Sequence, residues 1–279
     1  MSLRVACVQM NTRGDVAANV GVATALVEEA AAAGARLVAL PETWAYKGRR
    51  EGIHASAEAV DGPSNAALAQ LAARLGIFML AGSIYEPSPV PGHVFNASAL
   101  FGPHGDLLAA YRKIHLFDLI AGTTVYRESG YVTPGADLVT AEIDVGSSGS
   151  AATVTLGLTI CYDLRFPELY RSLALRGAQI LCVPSAFTAY TGAAHWEVLL
   201  RARAVENGCF VVAPGQVGEH LPGRECFGHS MIVDPWGAVL AEVHDGIGFC
   251  IADLDLGRVA EVRAQIPSLQ NRRPDAYGL

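Results

Sequence analysis

Two rhythms of apolar and polar positions replace one another along the chain, and each change of rhythm predicts a change of element. Leu3 to Gln9 reads as a strand; Asp15 to Ala33, Ala-rich with apolar residues at helical spacing and closed by Gly34, reads as a helix. ARLVALPETW follows as a second strand ending at Pro41 and Glu42. Ser64 to Leu75 is a second helix stopped by Gly76, and IFMLAGSIYE a third strand. HVFNASALFGPHGDLLAAYRK predicts two antiparallel strands about a Gly-Pro-His-Gly turn, delivering Lys113 at the end of the second. Asp118 to Ala152 is rich in Gly, Thr and Ser and has little periodicity apart from a short strand near Leu138 to Val145. A loop of that length inside a compact domain is usually functional.

The most informative stretch is TVTLGLTICYDLRFPELYRSLALRGA, Thr153 to Ala178. Its β-branched and apolar run through Ile160, then Cys161, Tyr162 and Asp163, then helical spacing from Pro167 predict a strand, a sharp turn and a helix. QILCVPSAF is another buried strand, and HWEVLLRARAVENG a helix with an apolar face. CFVVAPGQ, HSMIVDPWGAVLAEV and GFCIADLD supply the last strands, with Asp-Pro-Trp-Gly making a hairpin. No repeat or low-complexity linker divides the chain. The expectation is one α/β domain over residues 1–279, its mixed sheet or pair of sheets covered by helices, with a C-terminal arm from about residue 259.

Composition narrows the class of function. A net charge of −7 with no Lys/Arg cluster gives no basic footprint, so nucleic acid is not an expected partner. No stretch approaches the ~18 apolar residues of a membrane span, and MSLRVACVQMN is too quickly polar for a secretory signal, which predicts a cytoplasmic protein. Six scattered cysteines with no C-x-x-C pair read as free thiols in a reducing compartment.

Three residues at strand ends carry candidate chemistry. Cys161, at the carboxyl end of a strand and facing a helix start, is a candidate nucleophile in a place where backbone N–H groups stabilise a thiolate or an oxyanion; alternatively it is a small core residue. Glu42 ends an uninterrupted apolar run, where α/β sheets do their chemistry, or is a solvated loop acid. Lys113 has apolar neighbours that would desolvate it, or is an ordinary surface lysine. A papain-like arrangement would use His195 or His229 as base, but nothing around Cys161 matches those proteases. No His or Cys pair has zinc-ligand spacing and no glycine-rich phosphate loop follows the first strand, so neither metal nor cofactor is expected.

Together, LPETW, YRKIHLFD and GLTICYDLRFPELYR resemble the glutamate, lysine and cysteine motifs of the nitrilase, or carbon–nitrogen hydrolase, superfamily, and PSAFTAYTGAAHWEVLLRARAVEN and GHSMIVDPWG extend the likeness over essentially the whole chain. The resemblance implies an αββα sandwich that pairs through its helices into a homodimer or larger assembly. It also implies a thioester mechanism: Glu42 as base, Cys161 as nucleophile, Lys113 and the Tyr162 N–H holding the oxyanion, and acid and ammonia as products. The parts match what amide hydrolysis needs. Glu128, in YRESGY, matches a second family glutamate that orients Lys113 or the base.

Arg165 stands where carboxylate-binding relatives carry an arginine against the substrate acid; equally it ties the turn to Glu168 or Asp163. Phe187, Thr188 and Thr191 are expected in the loop that lines the pocket, while His195, Trp196 and Glu197 fix that loop and the helix start. The middle segment and GQVGEH resemble the Nit subgroup that acts on deaminated glutathione and α-keto acid ω-amides, although the loop Ala121 to Tyr131 lacks the longer acidic insert of typical ω-amidases. Nitrile or aliphatic amide hydrolysis, N-carbamoyl hydrolysis and a vestigial scaffold module are the competing readings.

Overall fold

Strand β1 (Ser2–Gln9) turns Leu3, Val5 and Cys7 into one apolar cluster and Ala6 and Val8 into another. That period-two alternation builds two layers from one strand. In the computed structural model, which describes residues 1–121, 124–146 and 152–277, the second cluster is closed by α1 (Val16–Ala32), capped where Asp15 accepts the Ala18 N–H. After β2 (Leu37–Ala39) come α2 (Arg50–Ala55) and α3 (Pro63–Leu75), and α3 packs beside α1 through Leu68, Leu71 and Ala72. Strands β3 (Phe78–Leu80), β4 (Ile84–Pro87), β5 (Val94–Phe101) and β6 (Leu107–Arg112) complete this half. Its sheet runs β1–β2–β3 in parallel and adds β5 antiparallel to β3, with β4 and β6 both pairing β5.

The second half repeats the plan. Beyond the hairpin β7 (Asp118–Ala121) and β8 (Thr124–Arg127) and a tight turn at Glu128–Gly130 come β9 (Thr140–Asp144) and β10 (Thr153–Leu158), then α4 (Pro167–Leu175), β11 (Ile180–Cys182), α5 (Ala189–Asn207) and β12 (Phe210–Ala213). Strands β10, β11 and β12 are parallel and β9 is antiparallel to β10. A small hairpin, β13 (Val217–Leu221) and β14 (Arg224–Phe227), precedes β15 (Met231–Val233) and β16 (Val239–Glu242), which extend the sheet past β12. Strand β17 (Gly248–Asp255) returns to pair antiparallel with all of β1, and α6 (Gly257–Gln265) and α7 (Pro274–Tyr277) end the described chain.

The inward face of the first sheet, Leu3, Val5, Leu37 and Leu80, packs on Leu156, Leu158, Ile180 and Phe210 of the second, whose outer face is covered by Leu169, Tyr170 and Leu173 of α4 and Leu200 and Ala204 of α5. Helix, sheet, sheet, helix is the four-layer order expected. Among the described residues no helix is long and apolar enough to cross a membrane.

Several boundaries differ from the sequence reading. IFMLAGSIYE is two strands, because Gly82 at φ 45° breaks it. The loop expected from Asp118 holds the β7–β8 hairpin, with residues 122–123 and 147–151 outside the described ones. Helix α5 begins earlier than HWEVLL, at Ala189, since Thr188 caps it by accepting the Thr191 N–H. In the C-terminal arm, Arg263 donates to the carbonyls of Asn207, Gly208 and Ala178, tying α6 to the end of α5.

Candidate active site

Glu42, Lys113 and Cys161 each lie within three residues of the carboxyl end of a strand, β2, β6 and β10, and the sandwich brings these ends to one cavity of about 560 Å³. All three side chains are buried: Glu42 is 4% exposed, Lys113 2% and Cys161 7%. Lys113 Nζ donates to Glu42 Oε1 at 2.9 Å and to Glu128 Oε2 at 2.8 Å. Glu42 Oε1 also accepts from Asn96 Nδ2 at 2.8 Å, and Oε2 from the Ala186 N–H at 2.9 Å. Glu128 is fixed from behind by the Phe117 N–H at 2.6 Å.

The backbone is bent to hold them. Thr43 (φ 53°) and Cys161 (φ 50°) are in the left-handed region, which for residues with a Cβ costs ~1–3 kcal/mol and persists only where the surroundings over-determine it. Thr43 is held by its N–H to Ser83 Oγ, and the Glu42 carbonyl by Gln216 Nε2 at 2.9 Å. Cys161 opens a 3₁₀ turn, Cys161–Arg165, ahead of α4, and its N–H goes to the Pro184 carbonyl. The Tyr162 N–H finds no acceptor among the described residues, which leaves it available to a ligand oxygen. Asp163 joins the lysine loop to the cysteine turn: fully buried, it accepts from Tyr111 OH, the Ile160 N–H and both the N–H and Nδ1 of His115.

The charges sort the protons. Burial pushes the Cys161 thiol well up, and the facing Glu42 carboxylate pushes the same way, against the pull of Lys113. The N–H groups of a helix start favour a thiolate, but desolvation and Glu42 outweigh them here, so the thiol is the resting form. Burial opposes ionisation of Glu42, yet the charges of Lys113 and Lys47 and the hydrogen bonds from Cys161 and Lys113 bring its carboxyl below its ordinary value. Burial likewise works against charge on Lys113, and Glu128 and Glu42 reverse it, holding the ammonium protonated. The resting set is a carboxylate, an ammonium and a neutral thiol: a base, a cation for developing negative charge, and a nucleophile that ionises only as its proton is taken.

Arg165, Phe187, Thr188 and Thr191 all line the cavity, with Thr191 in the first turn of α5 instead of the expected loop. The guanidinium of Arg165 lies over the rings of Phe187 and Tyr162 and donates to His195 Nδ1 at 3.2 Å; it pairs with neither Glu168 nor Asp163, the latter being occupied as described. Trp196 and Glu197 are inside α5, where Trp196 Nε1 donates to the His229 carbonyl and Glu197 pairs with Arg201. Sequence reasoning passed over Asn96, whose signal is a lone amide in a buried strand, and Lys47, which follows LPETW in a segment without periodicity. It also passed over His220, Arg224 and Cys226, carried by a β13–β14 hairpin whose signal is Pro222-Gly223.

His229, Glu242 and His244 bring ligand atoms within 4.8 Å of one another, but they line a groove along α5 and not the cavity of Glu42, Lys113 and Cys161.

The profile of the carbon-nitrogen hydrolase family matches residues 4–264. A deaminated glutathione amidase from Synechocystis is 43% identical over 96% of this chain and 97% of its own length. The human omega-amidase NIT2 is 38% identical over 100% and 98% respectively. The crystal structure of Saccharomyces cerevisiae Nit3, a member of the nitrilase superfamily, superposes with a TM-score of 0.85 at 31% identity, covering 98% of this chain and 97% of that one.

Proposed function

This chain belongs to the carbon–nitrogen hydrolase family, and from that premise we propose that it hydrolyses small carboxylate-bearing amides with Glu42, Lys113 and Cys161 as its catalytic triad. The observation that carries the reading is the buried meeting of a carboxylate, an ammonium and a neutral thiol at one cavity. As Cys161 Sγ attacks the amide carbon, Glu42 takes the thiol proton. The carbonyl oxygen becomes an oxyanion held by the Lys113 ammonium and the Tyr162 N–H. On collapse the C–N bond breaks and Glu42 passes its proton to the nitrogen, releasing ammonia from a primary amide or an amine from a substituted one. Water then gives a proton to Glu42 and its oxygen to the thioester carbon. The C–S bond breaks, the acid leaves, and the sulfur recovers its proton from Glu42.

Glu128 positions Lys113 in this scheme, since it shares the ammonium with Glu42 and touches no reacting atom. The carboxylate requirement rests on Arg165, a half-buried cation at the cavity wall with a ring on two sides and, among the described residues, no acid paired to it, which suits a bidentate carboxylate. That chemistry favours carboxylate-bearing amides, such as the deaminated glutathione in the name of one relative, over uncharged amides and nitriles.

Self-association goes with this reading. Val198 and Val205 on α5, Leu175 on α4 and Trp236 are each about half exposed or more, and a second copy would cover them. Light scattering on wild type and Val198→Asp tests it. A cytoplasmic location is proposed from cysteine usage alone.

The functional test is product release from α-ketoglutaramate, deaminated glutathione, aliphatic amides and nitriles by wild type and Cys161→Ala. Turnover confined to the carboxylate-bearing amides and lost in the variant supports the reading; turnover of uncharged amides or nitriles at equal efficiency overturns it.

A further inference from the structure

Away from the cavity of Glu42, Lys113 and Cys161, the edge of the second sheet gathers three side chains that ligate metals. In the β15–β16 ladder Met231 stands opposite Glu242. The Val243 N–H donates to the Ser230 carbonyl at 2.9 Å, which continues the pairing past the strand ends and brings His229 to the Glu242–His244 segment. Residues two apart on an extended chain share a face, so Glu242 and His244 can both meet a histidine from the neighbouring strand. His229 Nδ1 is 2.6 Å from Glu242 Oε1, His244 Nδ1 is 3.6 Å from the same oxygen, and the two imidazole centroids are 6.1 Å apart. A glutamate and a histidine two apart, with a third ligand from another strand, have neither helical nor knuckle spacing, so the sequence alone shows no zinc-ligand pair.

His229 is fixed in both backbone and ring. Its φ of 57° lies in the left-handed region, which a residue with a Cβ keeps only where its surroundings hold it. Trp196 Nε1 donates to its carbonyl at 2.7 Å, and the Phe227 ring stacks on the imidazole at 4.2 Å. Among the described residues the Glu242 carboxylate pairs with the two imidazoles and with no lysine or arginine. Arg201, which lines the same groove, is taken by Glu197. His244 is the movable member, its side chain 74% exposed. Two nitrogen donors about one carboxylate, with no cation of their own, are the donor set of a divalent ion.

We propose that His229, Glu242 and His244 bind a divalent ion of the zinc class, with the fourth position left to water. Two imidazoles and a single carboxylate suit zinc; magnesium and calcium take oxygen donors. In a tetrahedron with bonds of ~2.0–2.2 Å, donor atoms stand roughly 3.3–3.6 Å apart. Glu242 Oε1 and His244 Nδ1 already have that spacing. Glu242 Oε1 and His229 Nδ1 part by under about 1 Å as the ion replaces their hydrogen bond. All three ligand atoms lie within 4.8 Å of one another, and rotation of the exposed His244 side chain closes what remains. The site is complete within one chain and lies in the groove along α5, so it does not rest on the amidase reading. By tying the start of β15 to the end of β16, the ion stabilises the folded chain through mass action, since the unfolded chain holds no such triplet.

Calorimetric titration with zinc ion alone, on tag-free protein first stripped by a chelator, tests this in wild type, His244→Ala and Glu242→Gln. Wild type is expected to take one ion per chain, and each variant to bind it at least ~10-fold more weakly, the loss that even an outer-shell change causes. Zinc should raise the Tm of wild type and leave that of His244→Ala where it is; His244 is too exposed for its truncation to unfold the chain. Cobalt(II) in place of zinc should give the visible bands of a tetrahedral nitrogen and oxygen site, without the near-ultraviolet charge transfer of thiolate sulfur. Equal zinc affinity in wild type and His244→Ala overturns the site, and so does a sulfur band, which would put the ion on a cysteine. No zinc binding to wild type, or one ion shared between two chains, overturns it as well.

Discussion

The Lys113 ammonium and the Glu42 carboxylate form a 2.9 Å ion pair in which neither side chain is more than 6% exposed. Glu128 completes it at 2.8 Å from the same nitrogen, so one cation serves two buried acids. Removing it leaves two carboxylates facing each other without water. Lys113→Met should therefore lose ~3–5 kcal/mol of stability, the cost of breaking a buried pair, as well as activity. Glu128→Gln keeps an oxygen for the Phe117 N–H and leaves Lys113 paired with Glu42. It should cost clearly less stability and reduce kcat by roughly 10- to 100-fold through misplacement of the lysine. Denaturant unfolding of both variants decides: equal destabilisation would refute the view of Glu128 as the second, supporting acid.

The opposite shifts of Glu42 and Cys161 set the pH behaviour. Glu42 titrates below its ordinary range and Cys161 well above its own, so the carboxylate–thiol form spans the whole neutral region. We expect kcat/KM to be flat from about pH 5.5 to 8.5, without the rise that a thiol of pKa ~8.5 would give. In Glu42→Gln the charge that lifts the thiol is gone while Lys113 remains, so the thiol should titrate lower than in wild type even though kcat falls at least ~10³-fold. Absorbance of the thiolate at alkaline pH reads this directly. A thiol that titrates higher in Glu42→Gln would show that Glu42 does not oppose its ionisation.

The strand ends that carry Glu42, Lys113 and Cys161 were legible because each closes an apolar run with a reactive residue, a pattern local to the sequence. The four-layer order followed from the family resemblance, and the alternation in β1 now gives its physical reason. What stayed hidden depends on contacts distant in sequence. Asn96 reaches Glu42 from another strand, Asp163 joins two loops that the sequence separates by 48 residues, and Lys47 and Arg224 line one cavity only because the hairpin folds over it. The reason Cys161 rests as a thiol was equally hidden, since a helix start alone argues for a thiolate and only burial and the facing carboxylate, both products of the fold, reverse it.

Gly82 is the least replaceable small residue beside the site. At φ 45° its missing Cβ would lie 2.0 Å from the Pro41 carbonyl oxygen and 2.7 Å from that of Leu40, both backbone atoms in the segment that presents Glu42. Gly82→Ala must move that segment or unfold it. A loss of at least ~2–3 kcal/mol is expected, from the left-handed conformation together with the clash, and any folded variant should lose activity. Thermal unfolding checks the first, and kcat of the purified variant the second. A variant with wild-type Tm would mean that the β2 end yields freely, contrary to the hydrogen bonds around Glu42 and Thr43.

His220 gives the fold a specific acid sensitivity. Its ordinary value is 6.5 and in the folded protein it is pushed down to about 3, first by burial and then by Lys47, Arg224 and Arg13. As pH falls through 6.5 the unfolded chain binds a proton that the folded chain refuses until near pH 3. Since stability rises with pH wherever the unfolded state holds more protons, this residue penalises the native state progressively between those values and not above them. His220→Gln removes the penalty, so its stability relative to wild type should improve between pH 7 and pH 5, while the difference stays constant above pH 7. Denaturant unfolding of the two proteins between pH 5 and pH 8 measures it, and a stability difference that does not change below pH 7 would show that the folded protein admits the proton on His220.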